Sequence, residues 1–335
     1  MVPSYQLVID GVDRTDTLRP YLLSLTVCDK TGYSADSLNL VLANPMGQVQ
    51  VPKVGTKIQL ALGYQTTGLY EKGVFVVDEV SLRGPPDQLV VHARSLNIGQ
   101  ALHAVSTAFW EDVTLAEVVE EVASASGLQA TVGDAFEAIE LVYLSRERES
   151  DLAFLTRLAQ QYHAILKIQD QQLLFLSKDS LVNGSGTSMP TITIAPAQVL
   201  KYRLTLPQRS QIKSVQVPWY DRTQAKVEYV SEPDGAPTPT HAVATVYVNE
   251  ATAKAVAQTT LKNWQVQQAQ LSLDCVGIPE CVAQAQLELT EQTLGGSGFT
   301  EPLAGTYLIH QVQHQLNQQG YTLRIEATGQ PETTS

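Results

Sequence analysis

Apolar and polar residues alternate one by one through much of the first hundred positions. Leu38-Asn39-Leu40-Val41-Leu42 and Ile58-Gln59-Leu60-Ala61-Leu62 each give a strand one buried and one wet face. The same reading predicts strands over Tyr5–Ile9, Leu22–Cys28, Leu38–Ala43, Lys57–Leu62, Gly73–Val80 and Gln88–Ala93. Between them lie Asp10-Gly11, Lys30-Thr31-Gly32, Asn44-Pro45-Met46-Gly47 and Gly84-Pro85-Pro86-Asp87, whose glycines and prolines supply the dihedrals that reversals need. This spacing predicts a small barrel or sandwich.

The period then changes. Thr114 and Glu117 form a capping box, and Leu115, Val118, Val119, Val122 and Ala123 follow at helical spacing until Gly127. A second helix starts at Ser150 and places Phe154, Leu155, Leu158, Ala159 and Tyr162 on one face. The pattern continues into a hairpin, Ala164–Ile168 and Leu173–Leu176, which completes a helix-and-hairpin middle domain. Ser180–Ser188 is polar and glycine-rich, as a linker would be. Beyond it, Gln198–Leu206, Ser210–Val217, Gln224–Val230 and Val243–Val248 read as strands, and Asn249 caps a helix carrying Ala253, Val256, Ala257, Thr260, Leu261 and Trp264 on one face.

Two distant stretches repeat. Val51-Pro52 through Leu62 aligns without a gap to Ile278-Pro279 through Leu289, Gly73–Val80 to Gly305–Val312, and Leu89–Ala93 to Leu323–Ala327. A duplicated β module is the economical explanation. The expected fold class is therefore mainly β with an α+β insert: two tube-like barrel or sandwich domains related by duplication, plus the middle domain. The boundaries read as 1–100, 101–179, a linker at 180–190, and 191–335.

Length and charge narrow the function. A chain of 335 residues holds two or three domains, and its net charge of −12 argues against affinity for phosphate backbones. No specific nucleic-acid partner is expected. The acidic balance keeps the protein soluble or lines a passage along which DNA slides without sticking. The N-terminal segment lacks a signal-peptide pattern and no apolar run is long enough to span a bilayer, so cytosolic synthesis without membrane insertion is expected. Cys28, Cys275 and Cys281 form no disulfide or metal pattern, and Cys28 and Cys275 sit in apolar runs as small buried hydrophobes.

A search for catalytic chemistry returns little. His310 and His314 lie in a predicted strand where even spacing puts both on one side, towards water or a subunit contact, with no third ligand for a metal. The Gly-rich loop Thr293–Gly298 lacks the pattern of a nucleophile elbow, and Arg146-Glu147-Arg148-Glu149-Ser150-Asp151 reads as a solvated lead-in to a helix. No phosphate loop or dinucleotide fingerprint occurs. No catalytic residue, cofactor or metal is expected. Trp219 and Tyr220, after Pro218 at a strand end, are candidates for an interface centre or for the core.

Trp110–Leu115, Glu149–Ala159 and Leu173-Leu174-Phe175 together resemble the phage late control D family of contractile-tail hub proteins, related to the hub part of type VI secretion spikes. The flanks agree: Leu23–Val27, Gly73–Val80 and Ala93-Arg94-Ser95 on one side, Gly305–Val312, His314 and Gly320-Tyr321 on the other. The stretch from Asp221 to Thr240 is the least family-like. The resemblance implies a homotrimeric, non-enzymatic hub with two tube-like barrels per chain, six per ring, joining a six-fold tail tube to a three-fold spike. It implies the spike, the tube protein and, further, the tape-measure protein as partners. Assembly would be in the bacterial cytoplasm, with the product in a virion tail or tail-like particle. Two other readings compete: a glycan-binding module, because Thr114–Leu128 has the helix style of peptidoglycan-binding LysM domains, and a cell-wall hydrolase, weakened by the missing catalytic constellation.

Overall fold

The computed structural model describes residues 1–31, 36–95, 102, 105–137, 139–162, 164–169, 172–177, 191–206, 213–235, 237–243, 246–247, 249–265, 269–290, 298–299 and 303–331. The chain is mainly β and divides into two compact units. One comprises Met1–Asn97, Met189–Thr205 and Ala269–Ser335, the other Ile98–Ser188 and Leu206–Gln268. This division differs from the expected boundaries, because Leu206–Gln268 groups with the middle of the chain rather than with the C-terminal strands around it. The expected linker at 180–190 lies outside the described residues.

The first unit is organised by one sheet of thirteen described strands. Its first half runs, in hydrogen-bonded order, Leu22–Lys30, Ser37–Ala43, Gln88–Ser95, Gly68–Arg83, Lys57–Tyr64 and Pro3–Ile9. The second half runs Val199–Thr205, Ala269–Val276, Gly320–Pro331, Gly305–Asn317, Gln286–Leu289 and Thr191–Thr193. Position by position, the two halves share both their order along the chain and their order in the sheet. Leu38, Leu40 and Leu42 in one half occupy the ladder positions of Leu271, Leu273 and Cys275 in the other, and all six are buried.

Two of the irregularities repeat as well. The ladder between Gly68–Arg83 and Gln88–Ser95 slips at Asp78, between Val77 and Glu79; that between Gly305–Asn317 and Gly320–Pro331 slips at His310, between Ile309 and Gln311. A second slip, at Leu23 in the first half, recurs at Leu200 in the second. A bulge re-aims every residue beyond it, so a matching bulge keeps the matching residues on the same face. Even the bulged side chains have matching partners. Asp78 pairs with Arg94 at 2.7 Å, and His310 hydrogen-bonds Thr328, the residue in the place of Arg94. The halves differ at one edge, where Pro3–Ile9 runs antiparallel to its neighbour and Thr191–Thr193 parallel.

One alignment read from sequence needs correction. Gln59 aligns to Gln286 by residue identity, but Lys57 faces Val76 as Gln286 faces Leu308, so Lys57 is the structural counterpart of Gln286. The slip is two residues. A strand repeats every two residues, so an even slip leaves the buried face unchanged and the hydrophobic pattern cannot detect it.

The second unit contains more β structure than the expected helix and hairpin. Val105–Thr114 pairs antiparallel with Glu140–Ser150, and each strand leads directly into a helix, Leu115–Ala125 and Asp151–Gln161. Those helices cover a three-stranded sheet in which Gln129–Val132 lies parallel to one strand of the hairpin Ala164–Gln169/Gln172–Ser177. Their apolar faces meet in a core with Leu173 and Phe175, and Trp110 stacks on Phe154 with ring centroids 5.1 Å apart. The charged run read as solvated is partly drawn inward: Arg146 is buried, ion-paired with Asp151 and set over the Trp110 and Phe154 rings. A smaller cluster packs Ala253, Val256, Ala257 and Leu261 of the helix Glu250–Gln265 against Val215, Val217 and Tyr247.

The first helix is closed by its capping box. The Glu117 N–H donates to the Thr114 hydroxyl at 3.2 Å, and the Thr114 N–H to the Glu117 carboxylate at 2.8 Å. Thr114→Ala is expected to destabilise this unit by about 1 kcal/mol. All three tryptophans, Trp110, Trp219 and Trp264, belong to it. A denaturant titration followed by tryptophan fluorescence checks the value.

Candidate assembly interface

The feature of the first unit with the most functional content is the joint between its halves. Leu22–Lys30 pairs antiparallel with the second part of Gly305–Asn317, from Gln311 opposite Lys30 to Asn317 opposite Ser24. The sheet continues across, and so does the core: Leu316 and Tyr321 from the second half pack into the apolar cluster of the first.

Polar groups lock this seam. His314 is 1% exposed, with Nδ1 2.7 Å from the Tyr321 hydroxyl and Nε2 3.0 Å from the Cys281 carbonyl and 3.1 Å from Lys72 Nζ. Lys72 comes from the first half and donates to the Pro279 carbonyl. Burial lowers the Lys72 ammonium to about 8. It also holds the His314 imidazole well below its ordinary range, with the Lys72 charge acting in the same direction. The Cys281 carbonyl can only accept and a charged Lys72 can only donate, so a neutral imidazole satisfies one of the two at Nε2, and its tautomer follows the one it serves. Further bonds cross the seam, among them Tyr64 hydroxyl to the Gly277 carbonyl at 2.8 Å, Ala283 N–H to the Asp29 carboxylate at 2.7 Å and Thr31 N–H to the His310 carbonyl at 2.8 Å.

The two halves differ in what covers corresponding residues at the joint and at the outer edge. Leu25 is fully buried because its strand is flanked on both sides, whereas its counterpart Tyr202 is 55% exposed at the edge of the sheet. His314 is buried beneath Leu22–Lys30, whereas its counterpart Leu82 is 64% exposed.

The residues singled out from sequence separate. His310 and His314 face opposite ways, because the bulge at His310 shifts the alternation by one: Tyr307 and Ile309 point inward before it, Val312 and His314 after it. His314 therefore serves an intramolecular joint, and the expectation of two histidines on one side is corrected. Trp219 is half-buried against the small helix-and-sheet cluster, and the neighbouring Tyr220 is 42% exposed. Cys275 and Cys281 are buried, while Cys28 is only half-buried. Of the Thr293–Gly298 loop, 293–297 lie outside the described residues.

Sequence reasoning missed Lys72, Tyr64 and Gly277. The signal available for the last was a glycine immediately before the repeated Ile278-Pro279. Among the described residues, no group of three or more His, Cys, Asp or Glu side chains converges on a metal position, and no helix is long and apolar enough to cross a membrane.

This fold is shared with a solved tail protein from Neisseria meningitidis MC58, which superposes with a TM-score of 0.66 at 12% identity, over 98% of this chain and 97% of that one. The chain belongs to the phage tail baseplate hub family, whose model matches residues 81–320. Two relatives, each named as a probable baseplate hub protein, support the assignment. That of Escherichia phage 186 is 28% identical over 97% of this chain and 92% of its own length; that of Escherichia phage P2 is 32% identical over 65% and 57%. The resemblance read from the middle-domain motifs thus holds, and the protein is a structural baseplate hub component.

Proposed function

We propose that three copies of this hub protein close into a ring in which each half of the sheet acts as one of six tube-like barrels. One face of the ring receives the six-fold tail tube and the other the three-fold spike, with the tape-measure protein as a further partner. The observation that carries this reading is the repeat of six strands in one order, with both bulges in place. Two similar halves in one chain let three subunits present six similar surfaces, which is how a three-fold object meets a six-fold one. The acidic balance suits a lumen that does not retain nucleic acid. Ring formation in the bacterial cytoplasm, followed by incorporation into the tail, is the corresponding assembly order.

The test is the solution mass of the full chain by light scattering, alone and with its cognate spike protein. A three-chain mass, at the latest in the presence of spike, is the expected result. A monomer under both conditions overturns the ring, because association that depends on partners must still follow mass action.

A further inference from the structure

We propose that the outer face of the antiparallel pair Val105–Thr114/Glu140–Ser150 docks a cationic segment of a partner protein that also carries apolar side chains. The pair lies in the second unit, outside the duplicated sheet, so the inference stands independently of the ring.

The two faces of this pair have opposite fates. Trp110, Leu144 and Arg146 turn inward, with Trp110 and Arg146 buried against Phe154. Side chains alternate along a strand, so Val105, Phe109 and Glu111 point the other way. Phe109 is 69% exposed, Val105 65% and Tyr143 51%. Phe109 lies opposite Ser145 and Glu111 opposite Tyr143, which sets the two rings on neighbouring diagonal positions of one face. Val105, four residues before Phe109, prolongs the stripe by about 13 Å. Beyond the rings, in opposite directions, Asp112 (φ 50) and Arg148 (φ 52) hold the left-handed backbone that residues other than glycine avoid. Strain of this kind collects where a surface does more than fold.

Charge selects the occupant. Residues 105–162 hold eleven Asp and Glu against three Arg and no Lys, a net −8 within a chain of net −12. Two of those arginines are already ion-paired, Arg146 with Asp151 and Arg157 with Glu149. Glu111, Asp112, Glu140 and Glu147 are exposed on the pair itself. Such a field repels nucleic acid and anionic lipid. It also repels a second copy of this chain, which would bring the same acids face to face. A segment bearing Lys or Arg is attracted, and a guanidinium can stack on the Phe109 and Tyr143 rings. Acids alone would accept any cation. The rings add a demand for apolar side chains between the positive charges, because an exposed aromatic stripe leaves water only when apolar surface covers it.

The experiment titrates the full chain into a dye-labelled synthetic peptide of about ten residues, long enough to cross the stripe, in which arginine and leucine alternate. One control peptide replaces every leucine by serine, another every arginine by glutamate, and fluorescence anisotropy reads binding. Saturable binding of the arginine–leucine peptide is expected, weakened about tenfold or more in each control and progressively by added salt. Two variants place the site. Phe109→Ser with Tyr143→Ser removes the rings; Glu111→Gln with Asp112→Asn removes two charges, and asparagine tolerates the left-handed backbone at 112. All four side chains are exposed, so both variants should keep the parent's melting profile. Each should weaken the arginine–leucine peptide about tenfold. Binding of the serine control as tight as that of the leucine peptide reduces the face to general counterion attraction and overturns the docking site. So does binding that survives the loss of both rings, or the absence of saturable binding by the arginine–leucine peptide. None of these outcomes alters the solution mass that tests the ring.

Discussion

Gly277→Ala is expected to destabilise the first unit by about 2–3 kcal/mol, more than most changes of a single methyl group. A Cβ at Gly277 would stand 2.3 Å from Tyr321 Cδ1 and 2.4 Å from Cγ, far inside van der Waals contact. The ring cannot step aside cheaply. Its hydroxyl is hydrogen-bonded to buried His314, its face packs near Tyr64 with centroids 5.6 Å apart, and its backbone carbonyl accepts from the Gly277 N–H at 2.9 Å. Gly277 also offers its carbonyl to the Tyr64 hydroxyl, so displacing the glycine disturbs a bond between the halves. The check is a double-mutant cycle in denaturant with Tyr321→Leu. If the clash is the cause, Gly277→Ala should cost at least 1 kcal/mol less in the Tyr321→Leu background than in the parent. Equal costs in both backgrounds would reject the ring contact as the mechanism. Tryptophan fluorescence follows the other unit, so the readout here is the far-ultraviolet circular dichroism of the β structure.

Much of the sheet is legible in the sequence because strands with one buried face alternate, and this chain alternates clearly. The predicted strands fall on observed ones throughout the first hundred residues, and the repeat of Gly73–Val80 in Gly305–Val312 holds residue for residue through both bulges. What escaped has physical reasons. Leu38-Asn39-Leu40 and Leu271-Ser272-Leu273 are counterparts, but so short an alternation is common to any half-buried strand. Val199–Thr205 shows little resemblance to Leu22–Lys30 because an edge strand exposes residues that a flanked strand buries, as Tyr202 stands against Leu25. The grouping of Leu206–Gln268 with the middle of the chain was invisible for another reason. That segment occupies the connection between Val199–Thr205 and Ala269–Val276, where the first half needs only residues 31–36, and continuity along the chain conceals an insertion. The site was less legible than the fold. Lys72 and His314 are separated by 242 positions and meet only because the sheet runs through the joint.

As pH falls below about 6.5 the first unit should lose stability through His314, with a slope that steepens towards the one-proton limit of about 1.4 kcal/mol per pH unit. In the unfolded chain this histidine takes a proton below about pH 6.5. In the folded chain it resists, because burial penalises the imidazolium and the Lys72 ammonium stands 3.1 Å from Nε2. The unfolded state therefore binds more protons as pH falls, and stability falls with it until the depressed folded value is reached. Lys72 acts in a separate window. Its folded value is about 8 against 10.5 in the unfolded chain, so between those values the unfolded state again holds the extra proton and stability rises with pH. Below pH 8 Lys72 is charged in both states and contributes no slope. The acid limb of this buried pair therefore belongs to His314, and His314→Gln should flatten it. The measurement is denaturant stability from pH 8 to 5 for parent and variant, read on the β signal. A difference between them that stays constant with pH would mean that the imidazole titrates as readily inside the seam as outside it. The seam would then be open to water, and neither burial nor the Lys72 ammonium would set the protonation of its imidazole.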